Sequence, residues 1–308
     1  MPEISPPLRI AILGGGKIGS AFAFQLATRG GHDVTVIARP SSVRLAQLER
    51  DQGIVDIKGQ RARVTVAAVL DEETAFDLVI VTLLAHQAAS IIPCLQRSAA
   101  RSIQFMFNTF QPEQLQAAIG PDRAAFGMPF VQSSLDGEGR LNCNIGAGGQ
   151  KSLMSEQRWV DLFNAAGLPA ALEPQMPLWL RCHTPFCVAF ESISIAGVRR
   201  GGGASWGEAM VLARGVHAAF GLIKSLGYDI YPRSKARLDR SPLLVMAAML
   251  WFVSRIRSFR ELLATGEAEC RALVATMVSV APPESQSMIA DIEAMRPSEP
   301  PLREATLM

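Results

Sequence analysis

Residues 8–39 read LRIAILGGGKIGSAFAFQLATRGGHDVTVIAR, and this stretch decides the fold. Leu8 to Leu13 is an apolar run of strand length. Gly14-Gly15-Gly16-Lys17-Ile18-Gly19 follows at once. A helical pattern then runs to Arg29, with Ile18, Phe22 and Leu26 recurring every four residues, as do the small Gly19, Ala23 and Ala27. Gly30-Gly31 stops it, as expected just past a helix end. Val34 to Ala38 is a second apolar run, closed by Arg39. In Gly14-x-Gly16-x-x-Gly19, the first glycine permits the tight turn, the second lets backbone approach a pyrophosphate, and the third lets helix pack on strand. The spacing predicts a dinucleotide site, with phosphate held at the helix start by the turn that carries Gly14, Gly16, Lys17, Ile18 and Gly19.

The end of the second strand selects the dinucleotide. An acidic residue there holds a ribose 2′-OH. This chain instead has Arg39, then Pro40-Ser41-Ser42, with Arg44 close behind. A guanidinium with neighbouring hydroxyls suits a 2′-phosphate, so NADP(H) is the expected cofactor.

Outward from this unit, the chain alternates. Val43 to Arg50 reads as a helix, and Ile54 to Ile57 and Val64 to Val69 as strands. Phe76 to Val81 is a near-continuous apolar run, the mark of a strand buried on both faces of a parallel sheet. His86 to Leu95 should be its crossover helix, with Pro93 late in it. Ile103 to Phe107, Ala125 to Val131 and Leu141 to Ile145 read as further strands. This is an α/β pattern, an N-terminal Rossmann-type doubly wound sheet. Ligands of such sheets lie outside the carboxyl ends of the strands, which selects Leu83, Leu84, Gln87, Asn108 and Thr109. From Ser152 the pattern turns helical: Ser152 to Ala166, Pro185 to Val198, Ser205 to Leu226, Leu243 to Leu263 and Glu267 to Val278. Thr184-Pro185 reads as an N-cap and first helical residue, with Arg181 to His183 just before it. The tail from Pro282 holds a short helix near Met288 to Met295 and should fray at its end. The expected division is a nucleotide-binding domain over residues 1–149 and an all-α domain over 150–308.

Composition sets bounds. A chain of 308 residues, 49% hydrophobic and 19% charged, is globular and long enough for two domains. Its formal net charge of +2 gives no general pull toward nucleic acid or membrane. The basic stretch Arg233 to Arg240 reads as a solvated face. The longest apolar run, Leu243 to Val253, is too short to span a bilayer and suggests a buried or homodimer-facing helix. Five scattered cysteines form no metal-ligand spacing and point to free thiols in the cytoplasm. No signal-peptide pattern opens the sequence.

The residues resemble the ketopantoate reductase family. The likeness is closest in residues 8–39 and continues through Gly53 and the Phe76-Asp77 strand. Leu84-Ala85-His86-Gln87 stands where members often have Lys-Ala-Tyr-Gln, and Asn108-Thr109 where they have Asn-Gly. Gly167-Leu168 and Leu178-Trp179-Leu180-Arg181 resemble "aGl" and "lWxK", and Ser258-Phe259 with Gly266-Glu267-Ala268-Glu269 resembles "SSM…G…TE". The resemblance implies NADPH-dependent reduction of the ketone of ketopantoate, in a cleft between a Rossmann domain and a helical domain. It implies a catalytic Lys with an Asn one turn later, and substrate binding by a Ser and a Glu at the positions of Ser258 and Glu269.

The departures lie in that machinery. The Lys position is Arg181, a poor proton donor that still holds a carboxylate or polarises an oxyanion. Four residues on stands Pro185, and no Asn follows Asn164. The expected catalytic residues are therefore Arg181 on the substrate, Asn108 at the nicotinamide, and His183, whose imidazole can protonate an alkoxide near neutral pH. Glu191, an acid in an apolar helix, would orient Arg181 or His183 or join them in binding a small anionic substrate. A C=O reductase is the expected function. A reductase of an imine or a secondary-metabolite ketone, and a non-catalytic NADPH-binding protein, are the alternatives.

Overall fold

A computed structural model describes residues 6–264 and 266–297. The chain divides into two compact units, Met1–Pro177 and Leu178–Met308.

The first unit opens with β1 (Arg9–Leu13), α1 (Lys17–Thr28) and β2 (Asp33–Ile37). Next come α2 (Val43–Asp51), β3 (Gly53–Val55), β4 (Arg61–Arg63), β5 (Thr65–Ala67) and β6 (Leu78–Val81). The crossover after β6 is broken. Ala85–Ala88 forms α3, a 3₁₀ turn covers Ala89–Ile91, and Ile92–Arg97 forms α4. Pro93 sits in the first turn of α4, where its missing N–H is harmless, so it begins a helix instead of ending one. Then follow β7 (Ile103–Met106), α5 (Pro112–Ile119), β8 (Ala124–Met128), β9 (Gln132–Leu135), β10 (Leu141–Asn144), β11 (Ser152–Met154), α6 (Gln157–Ala165) and β12 (Ala170–Leu172).

Eight strands make one sheet in the order β12-β11-β8-β7-β6-β1-β2-β5. Its central pairs are parallel, Ile10 facing Val34 and Leu78, and Val79 facing Ile103. Strands β6 and β7 are buried along their whole length, β6 with an unbroken apolar sequence and β7 with the buried Gln104 among its apolar residues. The antiparallel pair β8–β11 turns the sheet's direction, and β12 runs parallel beside β11. This pairing corrects two expectations. Residues 152–154 form a strand, not the start of a helix, and the first unit runs to Pro177, not residue 149. Ser152 N donates to the Pro169 carbonyl, which ties the 152–172 segment into the sheet. Two small antiparallel ladders, β3–β4 and β9–β10, pack over α1.

The second unit is helical: α7 (Met176–Arg199, which starts just before the division), α8 (Trp206–Ser225), α9 (Arg233–Asp239), α10 (Leu243–Val253), α11 (Arg257–Leu263), α12 (Glu267–Ser279) and α13 (Gln286–Glu293). Pro185 lies inside α7 and does not start it. A mid-helix proline costs about 3 kcal/mol. Burial of Leu180, Val188 and Ile193 on α7 outweighs that, at about 1.5–3 kcal/mol each. Residues Arg181 to His183 are therefore helical, and alternate positions point to nearly opposite sides. The expected single helix over 243–263 is broken at Ser254. Its buried hydroxyl accepts from Ala204 N at 3.0 Å and donates to Trp251 O at 2.7 Å. No helix of the described residues is long and apolar enough to cross a membrane. The end of the tail, expected to fray, lies outside the described residues.

Helix α8 is the unit's central packing element, burying Leu212, Val216, Phe220 and Ile223 and packing on α10 and α13. A capping box sets its start. Ser205 Oγ accepts from Glu208 N at 3.2 Å, and Glu208 Oε2 accepts from Ser205 N. Ser205→Ala removes the cap and is expected to cost about 1 kcal/mol. A urea titration would show this as a lower midpoint with an unchanged slope. An unchanged midpoint would mean the cap does not limit stability.

Candidate functional site

The glycine turn leaves β1 and enters α1 with Gly16 as N-cap. Gly14 has φ +110°, a conformation a side chain resists, and a Cβ there would meet Thr82 Oγ1 at 2.8 Å. A Cβ on Gly19 would overlap the Gly14 carbonyl oxygen. A Cβ on Gly16 would meet nothing within 4 Å. The three glycines thus divide the work as their spacing predicts. Two allow close packing, and the third leaves open space beside the first turn of α1, where backbone N–H groups and the helix dipole favour a phosphate. Lys17 is exposed beside it and Ile18 packs on the core.

The side chains of Thr82 and Arg44 hold this turn. Thr82, just past β6, lies 3.2 Å from Leu13 O and 3.0 Å from Gly14 O through its hydroxyl. Arg44, expected near a 2′-phosphate, is already engaged. Its Nε donates to Gly15 O at 2.8 Å, Nη2 to Ser20 Oγ at 2.9 Å, and Nη1 to Gly139 O at 2.8 Å. Ser20 Oγ in turn donates to Gly15 O at 2.9 Å. Arg39 differs. It is exposed, and its side chain makes no hydrogen bond or ion pair among the described residues. Ser41 beside it has φ +60°, and Ser42 Oγ caps α2 by accepting from Leu45 N at 3.1 Å.

The other expected cofactor residues line the same carboxyl edge of the sheet. Leu83 reaches the turn, its Cδ2 lying 3.1 Å from a Cβ built on Gly14. Leu84 is the N-cap of α3, and Gln87 Oε1 accepts from Leu84 N at 3.2 Å, so the Gln87 amide serves the helix start. Asn108 follows β7 and is only 2% exposed. Thr109 Oγ1 accepts from Gln111 N at 3.3 Å.

In the helical unit, Arg181 is 4% exposed, its guanidinium 3.9 Å from the centre of the Tyr228 ring. His183 stacks on Trp179 at 4.5 Å. Lys235 on α9 lies over the other partner of that stack, Nζ 3.8 Å from the Trp179 ring centre and donating to Trp179 O at 3.0 Å. The segment 233–240 is therefore not simply a solvated face, because Lys235 is 8% exposed. Burial, and then the Lys235 charge, hold the His183 pKa down to about 3. That corrects the expected proton-donor role: the imidazole is neutral at neutral pH and has no proton to spare as an acid.

Glu191 does not orient Arg181 or His183 within this unit. It accepts from Cys270 Sγ at 3.0 Å and lies 3.5 Å from Cys187 Sγ. Its carboxylate fits against Gly266, the N-cap of α12, where a Cβ would clash with it. Burial raises its pKa. Glu269, in the first turn of α12, is pushed up to about 8 by burial and by Glu191. Ser258 is exposed on α11. The structure thus brings Glu269 to Glu191, and leaves Ser258 on the surface.

A mixed sheet with a parallel centre, this strand order and this turn define a doubly wound dinucleotide-binding class. Residues 10–151 match the model of the ketopantoate reductase PanE/ApbA family. A 2-dehydropantoate 2-reductase of Bacillus subtilis (strain 168) is 33% identical over 102 residues, a stretch that spans 33% of that protein and 33% of this chain. The fold is shared with a PanE/ApbA family ketopantoate reductase from Ralstonia eutropha JMP134, at TM-score 0.68 and 17% identity over 94% of this chain and 98% of that one. D-mandelate dehydrogenase in complex with NADH gives TM-score 0.68 and 12% identity over 94% and 96%.

The raised Glu269 pKa sets a pH dependence. The unfolded carboxyl ionises near its ordinary 4.5, while the folded one keeps its proton to about 8. Folding stability from this group is complete below pH 4.5 and is lost as pH rises to about 8. Glu269→Gln should flatten the decline between those values, read as melting temperature against pH. An identical slope in the two proteins would assign the decline elsewhere.

Proposed function

We propose that this protein is an NADPH-dependent reductase of the carbonyl group of a small 2-oxo acid, as the family resemblance implies. The observation that carries the reading is the open face of Gly16 together with the uncommitted Arg39 at the end of β2. Together they suit a pyrophosphate and a 2′-phosphate. The bound dinucleotide supplies hydride. Gly14 to Gly19 bind its pyrophosphate, Arg39 binds the 2′-phosphate, and Leu83, Leu84, Gln87, Asn108 and Thr109 form its remaining contacts. Asn108 orients the nicotinamide end.

Arg181 holds the substrate carboxylate or the developing oxyanion with a permanent charge. Burial strengthens that attraction by removing competing water. Glu269 and Ser258 keep the substrate-binding roles the resemblance implies, with burial and then Glu191 holding the proton on Glu269. The ternary complex of D-mandelate dehydrogenase with NADH and anilino(oxo)acetate supports an oxo acid as the substrate class. The exposed Leu244, Val245 and Phe252 on α10 support a homodimer through that helix, and a ketopantoate reductase from Staphylococcus aureus with this fold is dimeric. Five free thiols suit a reducing cytoplasm.

A second reading rests on the replaced pair. Arg181 and Pro185 stand where the family has Lys and Asn. That favours a different acceptor, such as an imine or a secondary-metabolite ketone. In the limit it favours NADPH binding without turnover.

The deciding assay is NADPH oxidation with ketopantoate, then with a panel of 2-oxo acids and imines, alongside NADPH binding. Turnover that falls at least 100-fold in Arg181→Ala supports the reductase reading. NADPH binding without oxidation of any acceptor supports the binding protein. Cofactor choice has its own test. Arg39→Asp is expected to weaken NADPH binding roughly 10- to 100-fold, about 1.5–3 kcal/mol for a charged contact, and to spare NADH. Equal losses for both cofactors would remove Arg39 from the 2′-phosphate.

A further inference from the structure

The hairpin turn between β9 and β10 lies outside the eight-stranded sheet, yet one side chain ties it to the glycine turn. Three residues of α2 reach it. Arg44 Nη1 donates to Gly139 O at 2.8 Å, Gln47 Nε2 to Gly137 O at 3.1 Å, and Arg50 Nη2 to Glu138 O at 2.9 Å. Spaced three apart, these residues share one helix face and take up three consecutive carbonyls. The turn they grip is itself fixed. Asp136 Oδ1 accepts from Glu138 N at 3.0 Å and from Arg140 N at 2.8 Å, and Gly139 N donates to Asp136 O at 3.0 Å. Gly139 has φ +80°, and a Cβ there would meet Arg44 Nη1 at 2.5 Å. Glycine at this position lets the guanidinium come close.

The other edge of that guanidinium decides which way a peptide points. Arg44 Nε and Ser20 Oγ both donate to Gly15 O, at 2.8 and 2.9 Å. In a trans peptide the carbonyl and the following N–H point opposite ways. Two donors that hold Gly15 O inward therefore hold Gly16 N–H outward. Gly16 is exposed, and its N–H donates to no group among the described residues. Without the clamp, a run of three glycines would leave this peptide free to rotate. The guanidinium is a planar fork, so anchoring Nη1 on Gly139 also fixes the direction of Nε.

We infer that Arg44, braced by the Gly139 carbonyl, is a positioning residue that aims Gly16 N–H at the dinucleotide's pyrophosphate, so that the β9–β10 turn sets cofactor affinity from a distance. This rests on the dinucleotide reading of the glycine turn. It gives Arg44 no contact with the 2′-phosphate, so NADPH and NADH depend on it equally. Charge alone is not enough, because a lysine at this position lacks the fork that joins Gly15, Ser20 and Gly139.

The test is calorimetric binding of NADPH, NADH and ADP-ribose to the purified protein. Arg44→Lys and Arg44→Met are each expected to weaken all three about tenfold and to keep the parent's NADPH to NADH ratio. Gly139→Ala is expected to weaken all three about fivefold, and to add less than about twofold in the Arg44→Met background, because it acts through the guanidinium. Circular dichroism and melting temperature check each fold. Gly139→Ala, in a peripheral turn, carries the test if the Arg44 variants do not fold. Four results overturn the inference and leave the dinucleotide reading standing: parent affinity in Arg44→Lys, a changed NADPH to NADH ratio, full additivity of the two substitutions, or unchanged binding by Gly139→Ala. Failure of the parent to bind both NADPH and ADP-ribose overturns the two together.

Discussion

One guanidinium fixes the geometry on which the nucleotide-binding unit depends. A glycine turn is flexible by composition, because glycine restricts its own backbone less than any other residue. Here Arg44 reaches from α2 and bonds the Gly15 carbonyl, the Ser20 hydroxyl and the Gly139 carbonyl at once. Thr82 contacts the neighbouring carbonyls of Leu13 and Gly14. The turn is thereby held from two elements, and its free N–H groups stay directed outward. The same arrangement sets a positive charge behind a site that suits phosphate. Arg44 thus orders the turn, while Arg39, five residues earlier, keeps its guanidinium uncommitted.

The helical unit handles charge differently. Its buried cations lie over aromatic faces, Arg181 on Tyr228 and Lys235 on Trp179. Such contacts contribute about 0.5–2 kcal/mol each. They add to what holds each cation in its desolvated place. The effect spreads to His183, which the Lys235 charge and burial keep neutral. On the opposite sign, Glu191 and Glu269 lie together at the start of α12, where burial raises the cost of ionising both and Glu191 adds to it for Glu269.

The dinucleotide turn was legible because each of its glycines answers a local constraint: a positive φ at Gly14, a close approach at Gly19, open space at Gly16. Strand β6 was legible because burial on both faces leaves only apolar residues there. What failed was decided by partners far away in sequence. Ser152 to Met154 is a strand because β8 and β12 flank it, and nothing local says so. Pro185 reads as a helix start by every local rule, and packing of α7 overrules it. Lys235 sits in a run of exposed-looking charges, yet the Trp179 ring and carbonyl bury it. Arg44 was read for its charge, when its hydrogen-bonding reach was the informative property.

These observations together constrain the chemistry. In place of a lysine and an asparagine, the sequence has Arg181 and Pro185. An arginine keeps its charge at every accessible pH, and a proline offers no side-chain hydrogen bond. The imidazole two residues from Arg181 is held neutral. Around Arg181, then, α7 presents fixed charge, while the proton held toward neutrality lies on Glu269 beside Glu191. Fixed charge favours a step in which negative charge is bound or develops on oxygen. It contributes less to a step limited by proton transfer. A reductase built this way would depend on substrates whose own carboxylate meets the guanidinium, and its rate near neutrality would be set by how well that anion is held.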